Sequence, residues 1–433
     1  MFEILPGFRD FRPEACANRN IIFSGWRTVA HNFGFEEFDC PILESLDLFT
    51  KKSGEEIAEQ LFAFEDKGGR KIALRPETTP SLTRILGEHY ATLKRPTKWF
   101  NITENFRYER PQKGRLRSFY QFNVDIVGEA SYSAEAELLA LAIESFQHFG
   151  LTREQFYIRL SDRQLWTLWL QAFEIEEDEL KTKMLSLFDK WERRSQKEII
   201  EDLKKVLGEA FPMEDFCAAT EKLRNAHTLQ EIEACFYAQT QAENLRTALR
   251  NRLDDFQCLL KEVDALGYKS FIKIDLTIVR GLAYYTGFVF EVFEAGNQGR
   301  ALAGGGRYDQ LFEKLIGKTM PAVGFAAGDV TLTDLLQKSQ LLPDYVNTVE
   351  YALVFEATER YVALGYAQKL RNSGHSVIYA LGETKTLSKQ LKKVYEACPR
   401  YILSFTHDEF LQGKVQRKEV ATGKMELISL QNL

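Results

Sequence analysis

The segment YQFNVDIVG, residues 120–128, constrains the fold more than any other stretch of the chain. Gln121, Asn123 and Asp125 alternate with Phe122, Val124 and Ile126, and side chains along a β-strand point to opposite faces in turn. A strand of this kind has an apolar back that must be packed and a polar front. Two more segments predict the same arrangement. In LRPETT, Arg75, Glu77 and Thr79 alternate; in NFRYER, Arg107 and Glu109 oppose Phe106 and Tyr108. Two readings fit three such rows: solvent-facing rows of an antiparallel sheet, or the lining of a site on a packed sheet. Acids and arginines at close quarters suit a ligand that carries both ammonium and phosphate groups.

Between two of these strands lies RYERPQKGRLRSFYQ, with Arg107, Arg110, Lys113, Arg115 and Arg117 around Pro111 and Gly114. Guanidinium forks match phosphate oxygens, so the loop reads as a wrap for a polyphosphate or an RNA end, or as a solvated hairpin tip. VRGLAYYTG sets Arg280 beside Tyr284 and Tyr285, in what reads as a strand. AGGGRYD carries Gly304, Gly305 and Gly306, which let a ligand come close to a strand backbone. No GKS or GKT follows, so this is not a P-loop, and neither a GxSxG nor a Cys–His arrangement is found.

Along the chain, a helix is predicted from about Ala15 to Phe33 and another from Ser133, as N-cap, to Gly150. FIKIDLTIV, from Phe271, predicts a long strand, and a helix should follow the stretch Gly324 to Gly328. The organisation read from these signals is a body made of residues 1–161 and 267–337, a helical insertion at 162–266, a linker at 338–347 around Pro343, and a βαβαβ domain with parallel strands at 348–433.

The composition, 45% hydrophobic and 27% charged, is that of a globular chain. Apolar runs such as LLALAI at Leu138 fall far short of a membrane span, and the charged N-terminal residues do not read as a secretory signal. Six cysteines without paired spacing fit reduced thiols in the cytoplasm. Six scattered histidines give no expectation of a protein-built metal site. A net charge of −6 argues against a protein that coats nucleic acid indiscriminately, although a small basic excess follows Glu350.

Several of these strings occur in one order: LPGFRD at Leu5, a segment ending in Pro41, LRPETTPSLTR, FRYERPQKGRLRSFYQFNVDIVG, RGLAYYTG, GGGRYD and PAVGFAAGD. Taken together they resemble the histidyl-tRNA synthetase family of class II aminoacyl-tRNA synthetases over nearly the whole chain. The resemblance implies an α+β catalytic domain on a mixed, mostly antiparallel sheet, with a helical insertion and a C-terminal α/β anticodon-binding-like domain. It implies activation of L-histidine with ATP and transfer to the 3′ end of tRNA(His). Mg²⁺ would travel with the ATP phosphates, and a homodimer would form through the region around Pro41.

The resemblance also implies residue roles. Glu77 and Thr79 would hold the α-ammonium of histidine, and Asp125, with Gln121, Tyr284 and Tyr285, would surround its imidazole. Arg107 and Arg280 would act in catalysis, with Glu109 and Arg115 around the rest of ATP, and Arg115 and Arg307 are the other cations expected to hold the phosphate tail in place of the usual arginine. Gln112 and Arg110 would touch the tRNA acceptor end. Two positions depart from the family pattern: Ala283 stands where an acid is usual, and Asp329, Val330 and Thr331 lack the arginine usual for the γ-phosphate. A rival reading, also by resemblance, is a regulator that does not aminoacylate: the regulatory subunit of ATP phosphoribosyltransferase or a sensor of uncharged tRNA. The regulatory subunit generally lacks the anticodon-binding-like domain that this chain keeps, and the set of Glu77, Arg107, Asp125 and Arg280 argues against a third reading, an RNA-binding protein with no chemistry.

Overall fold

Phe122, Val124 and Ile126 lie buried, and the Trp26 indole stacks on the Phe122 ring with centroids 5.3 Å apart. The computed structural model describes residues 2–50, 60–112, 114–191, 194–279, 284–296, 300–345, 349–382 and 386–432. The chain divides into two units, Met1–Pro343 and Asp344–Leu433.

In the first unit, α1 (Pro13–Asn32) is followed by β1 (Glu36–Glu37), β2 (Leu43–Ser45), α2 (Leu46–Thr50), β3 (Ala63–Glu65), β4 (Lys71–Leu74), α3 (Thr79–Glu88), β5 (Thr97–Phe106), β6 (Ser118–Val127), α4 (Ser133–Gln147) and β7 (Phe156–Asp162). Helices α5 (Arg163–Ala172), α6 (Asp178–Lys190), α7 (Gln196–Leu207), α8 (Met213–Arg224), α9 (Leu229–Gln239) and α10 (Glu243–Ala265) come next. The unit continues with β8 (Ile272–Ile274), β9 (Phe288–Glu294), β10 (Ala301–Arg307), α11 (Gln310–Ile316), β11 (Ala322–Gly328) and α12 (Asp329–Lys338).

Eight strands form one sheet in the order β1-β5-β6-β11-β10-β9-β7-β8, antiparallel except where β1 meets β5 and β7 meets β8. This is the mixed, mostly antiparallel sheet that the resemblance implies. Helices α1, α4 and α12 cover its back, where Phe122, Val124 and Phe325 join Trp26, Leu138 and Leu332 in a single core. A separate three-stranded sheet, β2-β4-β3, leaves Leu43 and Phe64 exposed.

The helices α5 to α10 stand between β7 and β8, and their apolar faces enter that same core through Trp166, Trp169, Phe256 and Val263. Polar contacts fix their root. Asp162 accepts from Gln164 N at 2.8 Å, which caps α5, and it is ion-paired with Arg252 of α10. The Arg252 guanidinium lies 4.1 Å over the Phe288 ring.

Several local expectations are corrected. LRPETT is not a strand. β4 stops at Leu74, and the buried Arg75 is drawn inward to donate to the Glu104 and Cys40 carbonyls at 2.9 and 2.5 Å. Thr79 then opens α3, with a proline in its first turn, where no N–H is needed. The strand predicted from Phe271 ends at Ile274, because the Asp275 carboxylate accepts from Thr277 N at 3.0 Å and turns the chain. Tyr284 and Tyr285 precede β9 rather than lie on a strand. Ser133 is the first residue of α4 and not its cap; its hydroxyl donates to Glu262 of α10 at 2.9 Å.

The second unit contains β12 (Tyr351–Phe355), α13 (Arg360–Asn372), β13 (Val377–Tyr379), α14 (Leu387–Tyr395), β14 (Tyr401–Phe405), α15 (His407–Leu411), β15 (Lys414–Glu419) and β16 (Met425–Ser429). Its sheet runs β13-β12-β14-β15-β16. The first three strands are parallel, as the βαβαβ pattern predicts, and β15 and β16 add an antiparallel hairpin.

One buried ion pair ties α4 to the back of the large sheet. Arg307, at the end of β10, donates to both Glu135 oxygens at 2.6 and 2.5 Å, to the Glu129 and Ser131 carbonyls, and to Asp309. Breaking a buried pair strands the remaining charge, which typically costs about 3–5 kcal/mol. Denaturant unfolding should therefore show Arg307→Ala destabilised by about that much, with most of the loss recovered in the Arg307→Met, Glu135→Leu double variant. A near-neutral single variant would contradict this role.

Candidate active site

The front of the large sheet is built by register. Gln121, Asn123 and Asp125 of β6 face Gly328, Ala326 and Gly324 of β11, and Ala326 and Gly324 face Gly304 and Gly306 of β10. Residues paired across antiparallel strands share a face. The polar row on β6 therefore borders a strip, two strands wide, on which no side chain is larger than a methyl group. The strip leaves room for a ligand to lie on the backbone.

Two of these glycines are required by contact as well. A Cβ on Gly324 would overlap Asp125 Oδ1 and stand 2.8 Å from the Val124 carbonyl oxygen. A Cβ on Gly306 would lie 2.6 Å from the Phe288 carbonyl oxygen and 3.0 Å from the Tyr285 ring.

At one end of the strip four acidic and phenolic groups converge. Asp125 and Glu77 are buried. Tyr308, the residue after β10, donates its hydroxyl to Asp125 Oδ1, and Tyr284 donates to Glu77 Oε2 at 2.9 Å. The Tyr284 ring lies 5.1 Å from Tyr285 and 6.0 Å from Tyr308. Burial pushes the Asp125 carboxyl up to about 7; the Tyr308 hydrogen bond works against this and the charge of Glu77 adds to it. The Tyr308 phenol is raised well above its ordinary value by burial and by Asp125.

Toward the other end, Arg107 leaves β5 with its Nε donating to the Pro76 carbonyl at 3.1 Å, which places it beside Glu77 in the chain. Its guanidinium lies 5.3 Å over the Phe119 ring. Gln121 accepts from Asn105 Nδ2 at 3.0 Å. Beyond them the loop turns tightly, with Gln112 N donating to Arg115 O at 3.0 Å and Arg115 N returning to Gln112 O at 2.8 Å. Glu109 and Arg115 form an ion pair, and Arg110 and Gln112 are exposed.

The structure thus brings Glu77, Asp125, Tyr284 and Tyr285 to one pocket. Arg107 reaches Phe119 on the front face that also carries Gln121, the Glu109–Arg115 pair lies in the loop beyond them, and Thr79 lies at the start of α3 beside Glu77. Arg307 does not belong there. It pairs with Val323, which pairs with Ile126, so it projects to the back of the sheet, where Glu135 and carbonyl groups occupy its donors. Arg280 and Ala283 lie outside the described residues.

Two site residues escaped the sequence reading. Tyr308 was present in the GGGRYD string, and Phe119 continues the period-2 phase of Gln121, Asn123 and Asp125. Among the described residues no group of three His, Cys, Asp or Glu side chains could hold a metal ion.

The family model for histidyl-tRNA synthetase matches residues 7–331, which covers both the sheet and the helices between β7 and β8. The chain belongs to the histidyl-tRNA synthetase family. It is 44% identical over 422 residues to the histidine–tRNA ligase of Opitutus terrae, covering 97% of this chain and 94% of that protein. It is 35% identical to the chloroplastic/mitochondrial histidine–tRNA ligase of Arabidopsis thaliana, over 99% of this chain and 85% of the relative. Among solved structures, the histidyl-tRNA synthetase of Nostoc sp. PCC 7120 superposes with a TM-score of 0.77 at 22% identity, covering 100% of this chain and 98% of that one. The class II synthetase fold expected from the strings is the fold observed.

The front of the sheet gives two expected outcomes. Gly324→Ala should displace Asp125 and destabilise the protein by about 1–3 kcal/mol, the scale of overpacked cores, read by denaturant unfolding. The second concerns pH. The folded state holds the Asp125 proton up to about pH 7, whereas the unfolded chain loses it near its ordinary value of 3.8. The contribution of this group to stability is therefore full below about pH 4 and is lost as pH rises toward 7. Unfolding of Asp125→Asn should show a flatter pH dependence across that window, and an unchanged slope would count against the shift.

Proposed function

We propose that this chain is a histidine–tRNA ligase, which joins L-histidine to ATP as histidyl-adenylate and passes it to the 3′ end of tRNA(His). The observation that carries the reading is the buried pocket of Asp125, Glu77, Tyr284 and Tyr308 at the end of a side-chain-free strip that leads to Arg107. From Asp125 to Gln121 the strip extends about 14 Å at a strand rise of about 3.4 Å per residue. That length accommodates an amino acid in line with the phosphate of a nucleotide.

In this reading Asp125 accepts from the imidazole N–H, with Tyr308 holding its other side, and Tyr285 closes the pocket over Gly306. Glu77, with Thr79 near, takes the α-ammonium. A site that pairs a substrate N–H with a buried carboxylate rejects analogues lacking that group, because the carboxylate is then left unpaired. Arg107 meets the α-phosphate, and Phe119 offers an apolar ring to the adenine. The histidine carboxylate attacks the α-phosphorus, and the bond to the bridging oxygen breaks as pyrophosphate leaves with the electron pair. A fixed guanidinium stabilises the charge that builds there; Arg280 is assigned to this role by its place in RGLAYYTG. Mg²⁺ enters with the ATP phosphates. The loop residues Arg110 and Gln112 face the tRNA end, and the Asp344–Leu433 unit reads the anticodon.

The same reading makes the protein a cytoplasmic homodimer. The exposed Ile42, Leu43 and Phe64 around Pro41 supply an apolar surface for a second copy.

Histidine-dependent exchange of pyrophosphate into ATP tests the ligase. Exchange should be vigorous, and Arg280→Ala should lose at least about a hundredfold, the scale of one preorganised charge-stabilising group. Histidine binding without exchange would favour the regulator instead. Asp125→Ala should weaken histidine far more than ATP; equal losses would remove the imidazole assignment.

A further inference from the structure

The chain that carries Tyr284 and Tyr285 is held on both flanks by the helices inserted between β7 and β8. Upstream, the Trp166 indole of α5 donates from Nε1 to the Leu276 carbonyl at 2.9 Å. His227, before α9, stands with Nδ1 3.2 Å from the Ile274 carbonyl oxygen. Downstream, Arg163 N donates to the Gly287 carbonyl at 3.1 Å, and Gln164 Nε2 to the Thr286 carbonyl at 3.4 Å. Arg163, Gln164 and Trp166 all belong to the first turn of α5, so one helix start reaches both flanks. The Trp166 ring is fully buried and packs on Phe188 of α6 with centroids 4.8 Å apart. A donor locked by packing in this way fixes its acceptor firmly.

The last inserted helix closes on the downstream flank. Arg252 of α10, ion-paired with Asp162, lies over the Phe288 ring, and Phe256 meets that ring edge-on at 5.0 Å. A Cβ on Gly287 would stand 3.6 Å from Arg252 Nη2 and 3.3 Å from Arg307 Cβ, so the backbone there is pressed between α10 and β10. From the sheet side, Thr286 N donates to the Arg307 carbonyl at 2.8 Å, and Thr286 Oγ1 accepts from Asp309 N at 3.2 Å. Burial pulls the Arg163 guanidinium below its usual value, and Asp189 of α6 and Tyr285 oppose that pull. Tyr284 and Tyr285 leave this clamp directly for Glu77 and for the backbone at Gly306.

We propose that the helical insertion positions the histidine pocket, with Trp166 as a positioning residue whose bond to the Leu276 carbonyl sets the segment from which Tyr284 and Tyr285 enter the site. The proposal rests on the ligase reading for the identity of the amino acid. Its consequence is thermodynamic: the fraction of molecules with both tyrosines in place scales the apparent affinity for histidine. Arg107 and Gln121 belong to β6 and the chain leading into it, so ATP affinity does not follow.

The test is a matched pair of variants, Trp166→Phe and Trp169→Phe. Both indoles are buried in α5, and each variant loses one N–H donor, but the Trp169 indole donates to Thr220 Oγ1 of α8 at 3.0 Å, inside the insertion. Calorimetry of histidine and ATP binding is read beside denaturant unfolding and pyrophosphate exchange. Trp166→Phe should weaken histidine by about threefold to tenfold, the scale of one hydrogen bond, and leave ATP within about twofold. Trp169→Phe should lose stability comparably and keep both affinities within about twofold. Equal histidine affinities in the two variants, or equal loss of histidine and ATP in Trp166→Phe, would reduce the insertion to a support of the fold and overturn the proposal. Should Trp166→Phe not fold, the double variant Gln164→Ala, His227→Ala removes two exposed side chains that touch the same flanks. Histidine weakened at least about threefold supports the role on that same scale, and unchanged histidine binding overturns it. A wild type that binds histidine with this Trp166 dependence yet shows no histidine-dependent exchange would remove the ligase reading and leave the positioning role in place.

Discussion

Close approach of backbone on the front of the large sheet governs everything built there. Gly324 and Gly306 stand opposite one another on β11 and β10, and the positions their side chains would fill are taken by the Asp125 carboxylate and by Tyr285 with the Phe288 carbonyl. A buried carboxylate is costly unless it is hydrogen-bonded. Asp125 meets this demand through Tyr308, which lies one residue beyond the strand that carries the glycines. The same strand turns Arg307 to the back, where Glu135 fixes it to α4. Two adjacent residues thus anchor opposite faces. The ion pair behind holds β10 in the place from which Tyr308 can reach Asp125.

Much of this was legible in the sequence, because period-2 alternation is a strong signal. Phe122, Val124 and Ile126 are buried, and Gln121, Asn123 and Asp125 share the front, as YQFNVDIVG requires. The parallel strands of the second unit followed from their βαβαβ spacing in the same way. The same rule failed on LRPETT. Pro76 and the inward pull of Arg75 ended the strand, yet Glu77 still arrived beside Tyr284, by a loop instead of a pleat. FIKIDLTIV misled for a related reason, since one Asp275 side chain bonding to Thr277 outweighed four apolar residues in phase.

What the sequence concealed was which face each arginine would take. Arg107, Arg115 and Arg307 look alike in a string; the first two fall in the segment between β5 and β6, whereas Arg307 takes its face from the register of β10 on β11, which is a non-local quantity. Arg307 sits in a motif beside three glycines and was expected to hold the ATP phosphates in place of the absent arginine. One step along a strand reverses a side chain, and that step decided its role.

Among the described residues, the helices α5 to α10 share one apolar core with the sheet. Trp166, Trp169, Phe256 and Val263 belong to the apolar cluster that also holds Trp26 and Phe122, and Ser133 and Tyr268 bridge α4 to its neighbours through Glu262 and Glu144. An excursion sharing its interior with its host is not a detachable appendage. Trimming it to obtain a smaller catalyst would strip the outer side of α4, expose the floor beneath the sheet to water, and loosen the Glu135 anchor from behind.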